Sequence, residues 1–412
     1  MDVLFVGSQP FAGMNRRPQQ LARGLAAAGR RVVYLDPAHP FGLQGDAGGF
    51  APEAPGASGV TAPAQRLWVV PPRGGARPGR WGWDSRAGWK AWASQVAALL
   101  AEGFSGTLFG VRAAGQPGEA VPSDFRPQAA IVDHPAMLST VRAALPATLV
   151  FDCLEDPPAP ARSRTLAAAY EEELERGLAL VDGIVAVNRY LLESWERRLR
   201  PEAARTVIEH GVDAALFRPA NEELRRLARE RLGLPAERRV AAFLGRIDAR
   251  ISFEDLEHIL ETDPGMHLLL LGEVGSEGEA ILRRLARGRV TALGLLRQSE
   301  AAALLPAADL LLIPYRREPE METLRGLKLY EYLATGLPVV ASFRRGLKAL
   351  RELLYLYTTW GELDEALRRA CAEPSDGELR SGRIAVAREA DWTLRAAAFS
   401  AFLEQAARSR PA

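Results

Sequence analysis

The sequence predicts an α/β protein made of two doubly wound parallel-sheet, Rossmann-like domains, and three observations carry that prediction. The chain has 412 residues, more than the roughly 100–200 that one ordinary domain holds. Short β-branched or leucine-rich runs alternate with helical stretches from the N-terminus onward, the pattern of parallel sheets covered on both faces. The alternation is interrupted near Gly211, where Arg218-Pro219 begins a linker, and a second series starts at Arg239.

In the first series, Val3–Val6 reads as a strand, with Gly7 opening a glycine-containing loop to Gly13. A helix follows over about 17–29, then a strand at Val32–Leu35. Residues 38–65, rich in Gly, Pro and Ala, read as a long surface loop before a strand at Leu67–Val70. Asp84 or Ser85 is suited to cap a helix running to Glu102. Ala129–Val132 and Thr148–Phe151 read as strands, about 163–181 as a charged helix, and Gly183–Val187 as a strand. In the second series, the runs Val240–Leu244, Leu268–Leu271 and Val290–Leu293 end in Gly245, Gly272 and Gly294. Leu310–Pro314 and Pro338–Ala341 complete the set. Three strands ending in glycine suit a ligand passing close to the backbone at their carboxyl ends, where open α/β sheets bind ligands. One last helix is expected over about 381–407, with Trp392 near its middle. No internal repeat is visible.

Composition excludes several function classes. Apolar residues make up 48% and charged residues 25%, the balance of a soluble globular protein. The formal net charge of +1 gives no reason to expect a nucleic-acid partner. Cys153 and Cys371 are far apart and show no metal spacing, which suits a reducing cytoplasm without disulfides. No apolar run approaches the roughly 18 residues of a membrane span. The N-terminus enters a strand directly, so no signal peptide is expected.

The most informative stretch is GLKLYEYLATGLPVVAS, Gly326 to Ser342. Lys328 and Glu331 are three apart on a short helix and so share a face. Gly336 and Pro338 end the helix, and Val339-Val340 continue as a buried strand. One cation and one carboxylate beside parallel-strand ends suit a phosphorylated sugar, the cation meeting phosphate oxygens and the carboxylate accepting from a ribose diol. The 52 basic residues include only three lysines, Lys90, Lys328 and Lys348. Against that arginine bias, a lysine in the motif points to a need for a compact point charge on a flexible stem.

This segment resembles the nucleotide-sugar site of retaining GT-B glycosyltransferases of family four. The resemblance implies two Rossmann-like domains with a cleft between them. Residues 1–215 would be the acceptor-side domain and 220–385 the nucleotide-sugar domain, with a C-terminal helix, 386–412, crossing back to the first. It also implies that Glu331 holds the nucleotide ribose and Lys328 contacts the diphosphate. Four further segments fit. Glu209 to Pro219, EHGVDAALFRP, is similar to the family hinge, with His210 in place of an asparagine. In FLGRIDARIS, Arg246 follows Gly245 and is suited to the donor diphosphate, with Arg250 the weaker candidate. In Val290 to Tyr315, Gly294 and the backbone of Leu295 and Leu296 would meet the base. In the first domain, Asp133-His134-Pro135 and FDCLED, Phe151 to Asp156, are similar to bacterial enzymes of teichuronic-acid type. There His134 would bind the donor sugar or help relay the acceptor proton, while Asp152 and Asp156 suit a cap or loop role equally well. Gly7, at the end of the first strand, joins the donor-binding candidates. The family usually has a second glutamate eight residues before Glu331, which contacts the donor sugar. Here that position is Thr323, which joins the donor-binding candidates and would make that contact with the backbone unless a local shift brings nearby Glu322 into use, with Glu320 also close by.

The implied activity is transfer of a sugar from a nucleoside diphosphate donor to a hydroxyl on a glycan or lipid-linked glycan, with retention and with neither metal nor cofactor. The implied setting is the cytoplasm, and peripheral contact with the inner membrane face is a further expectation. Trp81 to Trp92 holds four of the eight tryptophans beside Arg80, Arg86 and Lys90, which suits a membrane interface or a sugar-stacking site; Trp89 and Trp92 equally suit the core face of one helix. Rival readings are a nucleotide-sugar epimerase of the same fold, an inactive nucleotide-sugar-binding protein, and a nicotinamide-dependent oxidoreductase. The spacing of Gly7 and Gly13 lacks the close glycine triplet that the last requires.

Overall fold

The computed structural model describes residues 1–8, 11, 16–36, 66–70, 86–102, 121–154, 164–275, 278–279, 282–283, 285, 288–317 and 326–410. The chain divides into two compact units, Met1–Glu209 with Trp392–Ala412, and His210–Asp391.

The first unit contains a seven-stranded sheet in the order β3-β2-β1-β4-β5-β6-β7. Its strands are β1 (Asp2–Val6), β2 (Arg31–Leu35), β3 (Leu67–Val70), β4 (Pro127–Val132), β5 (Thr148–Cys153), β6 (Gly183–Ala186) and β7 (Ala204–Val207). Every pairing is parallel. Val3, Leu4, Phe5 and Val6 are all fully buried, as expected for a central strand covered by helices on both faces. The order reverses between β1 and β4, which makes their carboxyl ends the place where such a sheet opens to a ligand. Helix Trp392–Arg408 packs on this unit. A Cβ added at Gly24 of helix Arg17–Ala27 would strike the Cβ of Ala396, so the two helices meet backbone to backbone at that glycine.

The second unit repeats the design with six parallel strands in the order β10-β9-β8-β11-β12-β13. These are β8 (Arg239–Leu244), β9 (Met266–Leu271), β10 (Val290–Ala292), β11 (Leu310–Ile313), β12 (Val339–Ser342) and β13 (Tyr355–Tyr357). Here the reversal lies between β8 and β11, which pair only at Leu310–Ala241 and Leu311–Ala242. Beyond that point Tyr332 joins the two strands: its hydroxyl accepts from Leu244 N at 2.6 Å and donates to Leu312 O at 3.2 Å. Tyr332 is fully buried, and burial holds its phenol well above the ordinary range, so it stays a donor.

One expectation needs correction. The single final helix is two, Glu378–Glu389 and Trp392–Arg408. Ala390 O accepts from Val212 N at 2.9 Å, and Asp391 forms a bridge with Val212. The chain leaves helical geometry there to pair with the segment that opens the second unit, a tertiary demand that outweighs helix propensity.

Candidate functional site

The motif helix forms as its sequence dictates. It runs Lys328–Thr335 and ends at Gly336, whose φ is 72°. Arg383, fully buried, donates to Gly336 O at 3.2 Å and to Leu353 O at 3.1 Å and fixes that turn. Lys328 is the first helical residue, so its charge stands at the positive end of the helix dipole. That position costs stability, by about 0.3–1 kcal/mol for an exposed group, and is better explained by what the charge can bind.

The Lys328 ammonium lies at the sheet reversal. It donates to the Tyr315 hydroxyl at 2.7 Å and sits 4.0 Å from the centroid of the Phe243 ring and 4.8 Å from that of Tyr315. A Cβ at Gly245, whose φ is 135°, would overlap the ammonium nitrogen. The last turn of β8 therefore accepts this cation only because the residue there is glycine. Burial lowers the Lys328 pKa below the usual range, and Arg250 adds to the lowering, while Tyr315 and Glu331 oppose it. Burial would raise the Tyr315 phenol, but Lys328, Arg250 and Arg344 together bring it below its ordinary value. The guanidinium of Arg344 lies 4.8 Å from the Tyr315 ring, so cations approach this ring from two residues.

One turn along the helix, Glu331 Oε1 accepts from Gln298 Nε2 at 2.9 Å. Burial raises its pKa, and Gln298 and Lys328 hold the rise in check. Among the described residues nothing donates to its other oxygen, which leaves acceptor capacity for a diol. Gln298 belongs to helix Gln298–Leu304, directly after the loop that holds Gly294, Leu295 and Leu296. That loop is held at the β9 edge by a bridge between Gly272 and Gly294 and by Leu293 N donating to Leu270 O at 3.1 Å.

Arg246 follows Gly245, and its half-exposed guanidinium lies 3.7 Å from both Asp248 and Glu273. Arg250 pairs with Asp248 at 2.8 Å and acts electrostatically on both Lys328 and Tyr315. Gly245, Lys328 and Glu331 are thus brought together, with Arg250 rather than Arg246 coupled to them. Thr323, Glu320 and Glu322 lie outside the described residues. Tyr315, Gln298 and Arg344 were missed in the sequence; only the place of Tyr315, one residue beyond the Leu310–Pro314 run, could have flagged it.

Gly7 and His134 lie at the corresponding reversal of the first unit. A Cβ at Gly7 would overlap the Tyr34 hydroxyl. Ser8 donates to Asp133 Oδ2 at 3.0 Å, and burial beside Asp152 pushes the Asp133 carboxyl up to about 8. Asp152 is fully buried and bonded by Arg17, Nε to Oδ2 at 2.9 Å and Nη2 to Oδ1 at 2.8 Å, which makes it a structural ion pair within β5. His134 Nδ1 accepts from Ala136 N at 3.2 Å, and its ring packs against Trp89 and Tyr170. Burial lowers its pKa to about 3. The ring is therefore neutral with its proton on Nε2, which suits it to donating a hydrogen bond rather than to taking a proton. Trp89 and Trp92 are 3% and 5% exposed and belong to the core face of helix Arg86–Glu102. Trp81, Trp83, Asp84, Ser85, Gly13 and Asp156 lie outside the described residues.

Residues 238–366 match the family model described as Glycosyl transferases group 1. The second unit thus resembles the group 1 glycosyltransferases. The D-inositol 3-phosphate glycosyltransferase of Mycobacterium tuberculosis (strain ATCC 25618 / H37Rv) is 33% identical over 184 residues, covering 41% of this chain and 37% of that protein. The chain therefore spans little more than a third of the length of the curated relatives it matches. Among solved structures, sucrose-phosphate synthase from Thermosynechococcus elongatus superposes with a TM-score of 0.70 at 18% identity over 100% of both chains. Anabaena HepE in complex with UDP-glucose gives 0.64 at 18% identity over 98% of this chain and 99% of that one. WaaG, a glycosyltransferase involved in lipopolysaccharide biosynthesis, gives 0.64 at 16% identity over 97% and 99%. These likenesses establish the fold as GT-B, two Rossmann-like α/β domains. Among the described residues no helix is long and apolar enough to cross a membrane.

Proposed function

We propose that this protein is a glycosyltransferase that moves a sugar from a nucleoside diphosphate donor to a hydroxyl acceptor, with retention of configuration. The observation that carries the reading is the Lys328 ammonium at the β8–β11 reversal, with Tyr315 its one hydrogen-bond acceptor among the described residues. Among the described residues, two of its three N–H groups have no acceptor and could receive a diphosphate. Lys328, Arg246 and the amino end of the motif helix stabilise the departing diphosphate, and no metal or cofactor enters the proposal. Glu331 receives the ribose diol. The HepE complex makes UDP-glucose the first donor to try. In the first unit, a neutral His134 donates through Nε2 to a sugar hydroxyl. The acceptor is a glycan or lipid-linked glycan, and Trp81 and Trp83, with the neighbouring cations Arg80, Arg86 and Lys90, would give peripheral contact with an anionic membrane face.

The test is nucleotide release from a panel of nucleotide sugars, with and without acceptor extracts. Lys328→Ala should cut turnover by roughly 10²–10³, the usual loss for one electrostatic stabiliser. A folded variant that keeps full rate at saturating donor removes Lys328 from this role. A second reading, an inactive nucleotide-sugar-binding protein, draws on Thr323 standing where the family usually has glutamate. Under that reading the panel gives binding without release.

A further inference from the structure

Lysine is a flexible residue, and a free Lys side chain carries substantial rotamer entropy. An ammonium that must meet a diphosphate gains if the fold fixes it beforehand. Around Lys328 the described residues supply one hydrogen-bond acceptor and two ring faces. The acceptor is the Tyr315 hydroxyl at 2.7 Å, and the rings are Phe243 at 4.0 Å and Tyr315 at 4.8 Å. Tyr315 stands two residues beyond the end of β11 and is 5% exposed. Its ring also meets Phe243, centroids 6.3 Å apart and nearly perpendicular, and carries Arg344 at 4.8 Å. A tyrosine so packed cannot swing with the lysine, so the lysine is held to it.

We propose that Tyr315 is a positioning residue, whose hydroxyl and ring hold the Lys328 ammonium against the carboxyl end of β8, ready for the diphosphate of the donor. This rests on the reading of Lys328 given above. The groups that act on Lys328 are Tyr315, Arg250 and Glu331, and those that act on Tyr315 are Lys328, Arg250 and Arg344. Burial and Arg250 disfavour the ammonium, and the phenol opposes them. Removing the hydroxyl therefore has two consequences: the ammonium loses its anchor, and it loses its proton at a lower pH.

The chain's three lysines make the test direct. Lysine labelled with ¹³C at Cε gives three NMR signals, which Lys328→Arg assigns. The Lys328 signal of the wild type should be displaced by the ring currents of Phe243 and Tyr315 and should titrate below the ordinary lysine range. In Tyr315→Phe, which keeps a ring, that midpoint should fall further. UDP, titrated calorimetrically into the same samples, should bind about ten-fold more weakly to Tyr315→Phe at neutral pH, as expected for a lost hydrogen bond to a charged group. Its alkaline loss of affinity should also begin at lower pH than in the wild type. Tyr315→Ala should weaken binding more than Tyr315→Phe. A folded Tyr315→Phe with wild-type affinity and an unmoved Lys328 midpoint overturns the proposal. So does a wild-type Lys328 signal with no ring-current displacement, which needs no variant to fold. If UDP binding by the wild type is insensitive to Lys328→Ala, the reading of Lys328 fails, and this proposal fails with it.

Discussion

Replacing Gly245 with alanine tests the close approach on which the site depends. At φ 135° an L-residue is strained by about 1–3 kcal/mol. The new methyl would also occupy the place of the Lys328 ammonium. The lysine can retreat because it is the flexible end of a side chain, but retreat breaks its bond to the Tyr315 hydroxyl, a charged hydrogen bond of about 1.5–3 kcal/mol. The two terms together predict a loss of roughly 2.5–6 kcal/mol in the stability of the second unit. Gly233→Ala is the control. That residue caps helix Glu222–Leu232 in the same unit at φ 63°, and no atom lies within 4 Å of its added Cβ. Its cost should be only the left-handed penalty of about 1–2 kcal/mol. Urea unfolding compares the two, and calorimetry with UDP separates strain from function: Gly245→Ala should bind at least ten-fold more weakly, a factor corresponding to about 1.4 kcal/mol, and Gly233→Ala should bind as the wild type does. If the two variants lose equal stability and both bind UDP normally, the ammonium does not need its place beside β8 and the reasoning is wrong.

Two further predictions follow from the titrating groups. Glu331→Ala should weaken nucleoside diphosphate binding by about 1.5–3 kcal/mol. In the wild type, binding should decline with falling pH earlier than an ordinary glutamate would give, because burial raises the Glu331 pKa; unchanged calorimetric affinity in the variant would remove Glu331 from the site. In the first unit, the folded chain keeps the Asp133 proton up to about pH 8 against an ordinary 3.8, so it holds more protons than the unfolded chain in that window and its stability falls as pH rises. His134, at about 3 against 6.5, acts in the opposite sense and only below about 6.5, so Asp133→Asn should flatten the decline between about pH 6.5 and 8. Denaturation curves across that range that keep the wild-type slope would place the carboxyl in a more solvated setting than its burial indicates.

The parts of the fold that were legible are those that local chemistry dictates. Central parallel strands are covered on both faces, so β1, β8 and β9 read as unbroken apolar runs. The motif helix announced its end through Gly336 and Pro338. Among what escaped were elements that are short or set by distant partners. The edge strand β7 is ARTV, polar at Arg205, and β13 is only three residues long; neither gives a sustained period. Helices Leu138–Ala144 and Arg189–Trp195, of seven residues each, are too short to show a helical face. The break at Ala390–Asp391 depends on Val212, almost 180 positions away in sequence. The site divides in the same way. Lys328 and Glu331 stood out because their spacing and the scarcity of lysine are properties of the sequence itself. Tyr315 matters because β8 and β11 diverge beside it, and no spacing records that. Arg250 looked weaker than Arg246 because it stands farther from the strand-ending glycine, yet it is the one coupled to Lys328.

The two sheets share a strand order over six strands and a device, a glycine after the first strand that admits a side-chain tip from a neighbouring element, and they fill it with opposite chemistry. At Gly245 the tip is an ammonium, with arginines acting on the phenol that anchors it. At Gly7 it is the Tyr34 hydroxyl, near a carboxyl held neutral at Asp133 and an imidazole held neutral at His134. Burial produces both states, but with different results. In the second unit it strips water from a cation that has one hydrogen-bond acceptor among the described residues, which strengthens its pull on an anion. In the first it suppresses charge and leaves groups that donate and accept hydrogen bonds without attracting phosphate. On the proposed function, a diphosphate would be received at the second reversal and an uncharged hydroxyl at the first, the division of labour that transfer of a sugar from a phosphorylated donor requires.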